Sequence, residues 1–167
     1  DAALGRDMPL EEQLQFFARL QGLARDQAAV EVARVLDVAD LRSRSRDRTR
    51  TLSHGMMRRL GIGQAFLGSP ELVLLDEPTN GLDVIATRAL RETLQWLASP
   101  AGGGKCIVFS THIMQEVERL CDSVVVVSHG RTVAQGTVPQ LRASAGARDF
   151  EEAFVRLAYA DEAGAAT

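Results

Sequence analysis

The sequence has no run of apolar residues approaching the roughly 18 needed to cross a bilayer, and no charged-then-apolar leader opens it. Any membrane role is therefore expected to come through a partner. Cysteine is scarce, with only Cys106 and Cys121 in 167 residues. One lies in an apolar run expected to be a buried strand and the other at an expected helix end. Together they point to free thiols in a reducing compartment and exclude a disulfide framework. Excess positive charge is absent too: 19 Lys and Arg stand against 22 Asp and Glu, a net charge of −3. No global basic field argues for a nucleic-acid partner. The phosphate-loop pattern G-x-x-x-x-G-K-[ST] occurs nowhere. Gly104-Lys105-Cys106 comes nearest and fails, because Ser99 holds the first glycine position, Cys106 replaces the hydroxyl, and the segment precedes a strand. The chain begins at Asp1 rather than Met, as a fragment would.

What is present suffices for one ordinary domain, with 46% apolar residues to build a core. The organising stretch is Leu72-Val73-Leu74-Leu75-Asp76-Glu77-Pro78. Four apolar residues after the breaker Ser69-Pro70-Glu71 predict a short strand buried on both faces. Its C-terminal tip carries two adjacent carboxylates, and ligands of open α/β sheets bind at such tips. Neighbouring acids repel each other at a dry strand end, so a divalent cation with a phosphate substrate is the natural reason for them. Asp76 is then the Mg²⁺ ligand, and Glu77 orients or deprotonates an attacking water. A bare Leu-Leu-Asp-Glu would as readily be a strand entering a solvated acidic turn; the neighbouring segments decide against that.

Upstream, Leu52-Ser53-His54-Gly55-Met56 opens an amphipathic helix. Downstream come Pro78-Thr79-Asn80-Gly81-Leu82-Asp83 and a second apolar strand, Cys106-Ile107-Val108-Phe109, ending in Ser110-Thr111-His112. In this order they resemble the signature motif, Walker B with catalytic Glu, D-loop and switch His of ABC-type ATPases. The likeness extends over most of the chain. The runs Asn80 to Val84, Ala86 to Arg91 and His112 to Asp122 resemble ATPases of bacterial sodium- or drug-exporting ABC transporters. His54 and Met56 depart from the commoner Gly and Gln of the signature, so the expected contacts there are Ser53 and the backbone at Gly55.

The resemblance implies an α/β P-loop NTPase fold lacking its N-terminal part, with a helical signature subdomain and a largely parallel sheet. Residues 1–68 would form the helical subdomain, 69–147 the RecA-like core, and 148–167 a C-terminal helix with a frayed tail. It implies ATP and Mg²⁺, sandwiched between two ATPase domains arranged head to tail. Asp76 would serve the metal, Glu77 and His112 catalysis, Ser53 and Gly55 the partner's nucleotide, and Asp83 the dimer. The remaining expected partner is a transmembrane permease, which places the protein in the cytoplasm, peripheral on the inner face of the membrane. A soluble ABC ATPase acting on ribosomes or DNA is the competing expectation, and a non-catalytic fragment the third.

Taken in order, residues 1–7 are expected to be loose. Pro9 begins a helix running to Gly22, with Glu11 and Glu12 favourable at its positive end. Gln27–Val38 follows with Asp26 as N-cap. Five arginines between Arg42 and Arg50 predict a solvated loop, since no aromatics interleave; an arginine there could alternatively steady a partner's triphosphate. Ser53 is expected to cap a helix over Met56–Leu67, and Val84–Leu97 to be helical with Leu90, Leu94 and Leu97 inside. Pro100 to Gly104 reads as a flexible connection. His129-Gly130 joins two strands as a hairpin turn, so His129 takes no catalytic role. Short helices are expected near 138–143 and 149–158, with Ala160 to Thr167 frayed.

Overall fold

The computed structural model describes residues 5–159. The predicted tail from Ala160 onward, and residues 1–4 of the predicted loose start, lie outside them. The chain divides after Ser110 into two compact units. Within the first, the third helix packs on both the helices before it and the strand after it.

In the first unit, α1 (Leu10–Leu20) and α2 (Arg25–Val38) pack on each other, burying Leu10, Leu14, Val32, Val35 and Leu36. The α1 N-terminus has no side-chain cap, as Pro9 requires. Its first amides instead donate to the arginine segment: Leu10 N–H to Asp47 O (3.0 Å) and Glu11 N–H to Ser45 O (2.9 Å). That segment is therefore not a free loop. It forms two 3₁₀ turns, Arg42–Arg44 and Thr49–Thr51, with Thr49 buried beneath them. Residues 5–7 are held as well, since Arg50 N–H donates to Arg6 O (3.0 Å) and Arg50 pairs with Asp7 (3.3 Å). Asp26 is not the cap of α2. The helix starts at Arg25, two residues before the expected Gln27, and the Gln27 side chain accepts from the Ala24 N–H at 3.2 Å, so a one-way contact from inside the helix stands in place of an acidic cap.

Helix α3 (His54–Ala65) leads to β1 (Leu72–Asp76) and α4 (Val84–Ala98). β1 pairs in parallel with β2 (Cys106–Ser110), in register from Leu72 opposite Cys106 to Asp76 opposite Ser110. Alternation along a strand sends Val73, Leu75 and Ile107 toward α3 and α4, where they join Ile62, Phe66, Leu90, Leu94 and Leu97. The other face is open: Leu72, Leu74 and Val108 are each more than half exposed. This corrects two expectations. β1 is buried on one face only, and Cys106, opposite Leu72 on the open face, is exposed. The connection before β2 is likewise ordered. Pro100–Gly102 is a 3₁₀ turn capped by Ser99, and a Cβ at Gly102 would lie 1.9 Å from Trp96 O.

The second unit carries α5 (Met114–Leu120), then β3 (Val124–Ser128) and β4 (Arg131–Gly136), an antiparallel hairpin. His129 and Gly130, both with positive φ, form the two-residue turn. α6 (Val138–Ala145) and α7 (Phe150–Ala158) close over Val126, with Leu141, Phe150 and Ala153 buried and Phe154 and Leu157 beside them. No helix among the described residues is long and apolar enough to cross a membrane.

Candidate functional site

β1 delivers Asp76 to its C-terminal tip, where the chain must turn at once to enter α4. It does so through Glu77, whose φ of +44° is rare for a residue with a side chain. Pro78 and Thr79 are buried behind the turn. Asn80 N–H donates to Glu77 O (3.1 Å) and Leu82 N–H to Thr79 O (3.2 Å). Asp83 then caps α4, its Oδ1 accepting from Ala86 N–H at 2.8 Å. Asp76 is exposed at the strand end, whereas Glu77 is half-buried and its Oε2 is shut off from solvent.

Two further side chains hold this turn, and sequence reasoning gave neither a role. Ser110, paired with Asp76 across the parallel ladder, accepts from Glu77 N–H at 3.0 Å and donates to Asp76 Oδ1. A hydroxyl in register beside an acid was the available signal. Arg58 of α3 donates to three carbonyls, Asp76 O (3.0 Å), Glu77 O and Pro78 O (3.2 Å). Nothing in the sequence separates it from Arg59, which points elsewhere and pairs with Asp40 at 2.8 Å.

The α3 N-terminus approaches the same segment. Ser53 Oγ accepts from Met56 N–H at 3.3 Å as a helix cap. A Cβ on Gly81 would lie 3.1 Å from His54 Nε2. A Cβ on Gly55 would meet only Leu82 and Ala86, at 3.6 and 4.0 Å, which is ordinary contact. No steric demand among the described residues calls for glycine at 55, unlike at 102. Thus Ser53, Gly55, Asp76, Glu77 and Asp83 all belong to one unit, gathered along α3 and the 76–83 turn. His112 stands in the second unit, exposed, two residues past the end of β2.

No group of three or more His, Cys, Asp or Glu among the described residues could cage a metal ion. The Asp76 carboxylate, exposed at the tip of a parallel strand, fits magnesium, which is held by one or two carboxylates together with substrate phosphates and water. Asp76 offers one such carboxylate, with Oδ1 already oriented by Ser110. The arginine stretch shows no such convergence. Arg42, Arg44 and Arg50 pair with Asp37, Asp47 and Asp7, and Arg42 also binds Ala33 O at 2.8 Å. Cys121 is also accounted for: burial first, then the nearby charges of Asp122 and Glu116, push its thiol up to about 11, away from nucleophilic use.

The family described as ABC transporter matches residues 3–80. The Nod factor export ATP-binding protein I of Cupriavidus metallidurans is 41% identical over 138 residues, 83% of this chain and 45% of that protein. The linearmycin resistance ATP-binding protein LnrL of Bacillus subtilis is 35% identical, covering 84% of this chain and 44% of its own length. The ABC transporter ATP-binding protein NatA of the same organism is 34% identical, with 89% and 59% covered. A solved ATP-binding subunit of an ABC transporter superposes with a TM-score of 0.78 at 34% identity, over 93% of this chain and 64% of that one. The chain thus spans about half the length of the curated relatives it matches.

Proposed function

We propose, for a chain that belongs to the ABC transporter ATP-binding proteins, that it supplies the signature helix and catalytic carboxylates of an ATPase that powers a membrane exporter. The observation that carries this is the placement of Asp76 and Glu77 at the C-terminal tip of a parallel strand, on a turn pinned by both Ser110 and Arg58. An acidic turn of no use would not need a left-handed glutamate held from two sides.

In this reading Asp76 holds Mg²⁺, which when bound neutralises phosphate oxygens. Glu77 accepts the proton of the attacking water, and His112 is the switch that keeps water and γ-phosphate in register. Ser53 and the Gly55 backbone, at the positive end of α3, face the nucleotide of a second ATPase domain arranged head to tail. The freedom for a Cβ at Gly55 supports a demand from outside the chain. Asp83 closes the dimer beside its capping role. The other partner is a transmembrane permease, which would hold the protein at the cytoplasmic face of the membrane. Export is named for the Nod factor relative and resistance for the linearmycin one, and an exported small molecule or ion, sodium or a drug among them, is the expected cargo class. The arginine stretch gives no support to action on ribosomes or DNA, since its charge is largely spent on aspartates.

The test is Glu77→Gln in the native protein. General-base loss typically costs about 10²–10⁴-fold, so steady-state ATP hydrolysis should collapse while ATP binding persists. Turnover within a few-fold of wild type would remove Glu77 from this role.

A further inference from the structure

Arg58 sits in the second turn of α3, half-buried, and spends its guanidinium on main-chain oxygens alone. The three carbonyls it gathers belong to Asp76, Glu77 and Pro78, which carry both acids and the start of the turn. Carbonyl dipoles brought together repel one another unless a cation or several donors face them. A guanidinium carries its donors on separate nitrogens of one rigid plane, here Nε to Pro78 O and Nη2 to Asp76 O, whereas an ammonium crowds its three donors onto a single nitrogen. Glu77 keeps its φ of +44° within this grip. Such a backbone is costly for a residue with a side chain and persists only where the surroundings over-determine it. One restraint, Ser110, comes from β2; the other comes from the helix that begins with Ser53 and Gly55.

The first turn of that helix touches the same segment further along. His54 lies against Gly81, and the Gly55 position faces Leu82 and Ala86. Helix α3 therefore grips residues 76–86 at two places, with Arg58 on the acids and His54–Gly55 on the stretch leading into α4.

We propose that Arg58 is a positioning residue that locks the Asp76–Pro78 turn to the signature helix, so that what binds at Ser53 and Gly55 alters the aim of Asp76 and Glu77. The coupling rests on the reading above, in which those two places serve two different nucleotides. The locking of the turn does not. Arg58 touches no reacting atom. It makes the acids of one nucleotide site respond to occupancy of the other.

The experiment compares Arg58→Ala and Arg58→Lys in the native protein. In nucleotide-free protein, amide exchange at Asn80 and Leu82, whose N–H groups close the turn, should quicken about tenfold or more, while α1 and α2 stay protected. Misplacing a catalytic group by about 1 Å costs up to ~10²-fold. kcat should accordingly fall about 10- to 100-fold with KM for Mg²⁺·ATP within about threefold. Added guanidinium ion, but not methylammonium, should restore part of kcat to Arg58→Ala, and Arg58→Lys should resemble Arg58→Ala. Unchanged exchange, full activity with lysine, or a joint loss of kcat, KM and melting temperature would each overturn the proposal. If Arg58→Ala does not fold, Arg58→Lys carries the test. If neither folds, Arg58 is structural only and the proposal fails. Faster exchange at the turn together with an unaffected Glu77→Gln enzyme would sink the proposed function while leaving the lock standing.

Discussion

At the residue scale, two glycines make opposite demands. Gly102 is required by the chain itself, because any Cβ would enter the main chain at Trp96 and Leu97. Gly102→Ala should cost about 1–3 kcal/mol by overpacking, seen as a lower melting temperature. Gly55 has room, and it stands in the first turn of a helix where alanine is favoured by up to about 1 kcal/mol. Gly55→Ala should therefore melt no lower than wild type and, on the proposed reading in which that backbone meets a nucleotide, still hydrolyse ATP more slowly. A Gly55→Ala variant with wild-type turnover would strip that glycine of its proposed purpose. The places of Asp76 and Glu77 at a strand tip and of Ser53 and Asp83 as helix caps were legible through their neighbours, since such positions follow local rules. Ser110 and Arg58 were opaque because their partners are distant in sequence, by 33–34 and 18–20 residues. Their targets are main-chain atoms and one carboxylate, which no spacing rule reveals.

At the scale of elements, helices announced themselves by period and caps, with errors where a cap came from elsewhere and at α3, which runs from His54 to Ala65 rather than from Met56 to Leu67. α1 takes its cap from the backbone of the arginine segment, and α2 from Gln27 instead of Asp26. The strands were found, but their burial was not. Apolar composition states what a strand could bury, whereas what covers it depends on the elements packed against it. The α2 to α3 junction gives a prediction with a definite sign. Arg34 donates to Glu31 at 2.8 and 3.1 Å and to Phe66 O at 2.7 Å, tying α2 to the end of α3. The hydrogen bond from Arg34 comes first among the causes that hold the Glu31 carboxyl below its usual 4.5. The fold thus favours ionised Glu31, so its stabilisation is complete above about pH 4.5 and drains away as pH falls through the depressed value. Glu31→Gln should lower the melting temperature at pH 7, with the gap to wild type closing toward pH 3. A gap independent of pH would show that packing rather than charge is at stake. The side chains are partly exposed, so the loss at pH 7 should be small, about 0.3–1 kcal/mol.

At the scale of the whole molecule, the pattern G-x-x-x-x-G-K-[ST] that cradles β- and γ-phosphates is not among these 167 residues. Residues 1–167 expressed alone should therefore bind Mg²⁺·ATP no more tightly than about millimolar and show no hydrolysis, because acids without backbone donors and a lysine repel the nucleotide. Calorimetry decides it, and micromolar affinity would move the nucleotide onto the residues described here. Leu72, Leu74 and Val108 in one unit and Val125 and Val127 in the other are more than half exposed, so the same preparation should self-associate as its concentration rises. One feature of α1 bears on the whole chain in another way. What Ser45 and Asp47 give that helix is their carbonyl oxygens, which every amino acid possesses, delivered at a fixed count of residues from Thr49 and Arg50. Single replacements at Ser45 and Asp47 should then pass almost unnoticed in a mutational scan. Deleting or inserting one residue between Arg42 and Arg50 would shift both oxygens off their targets. Spelling there is free, and length is not.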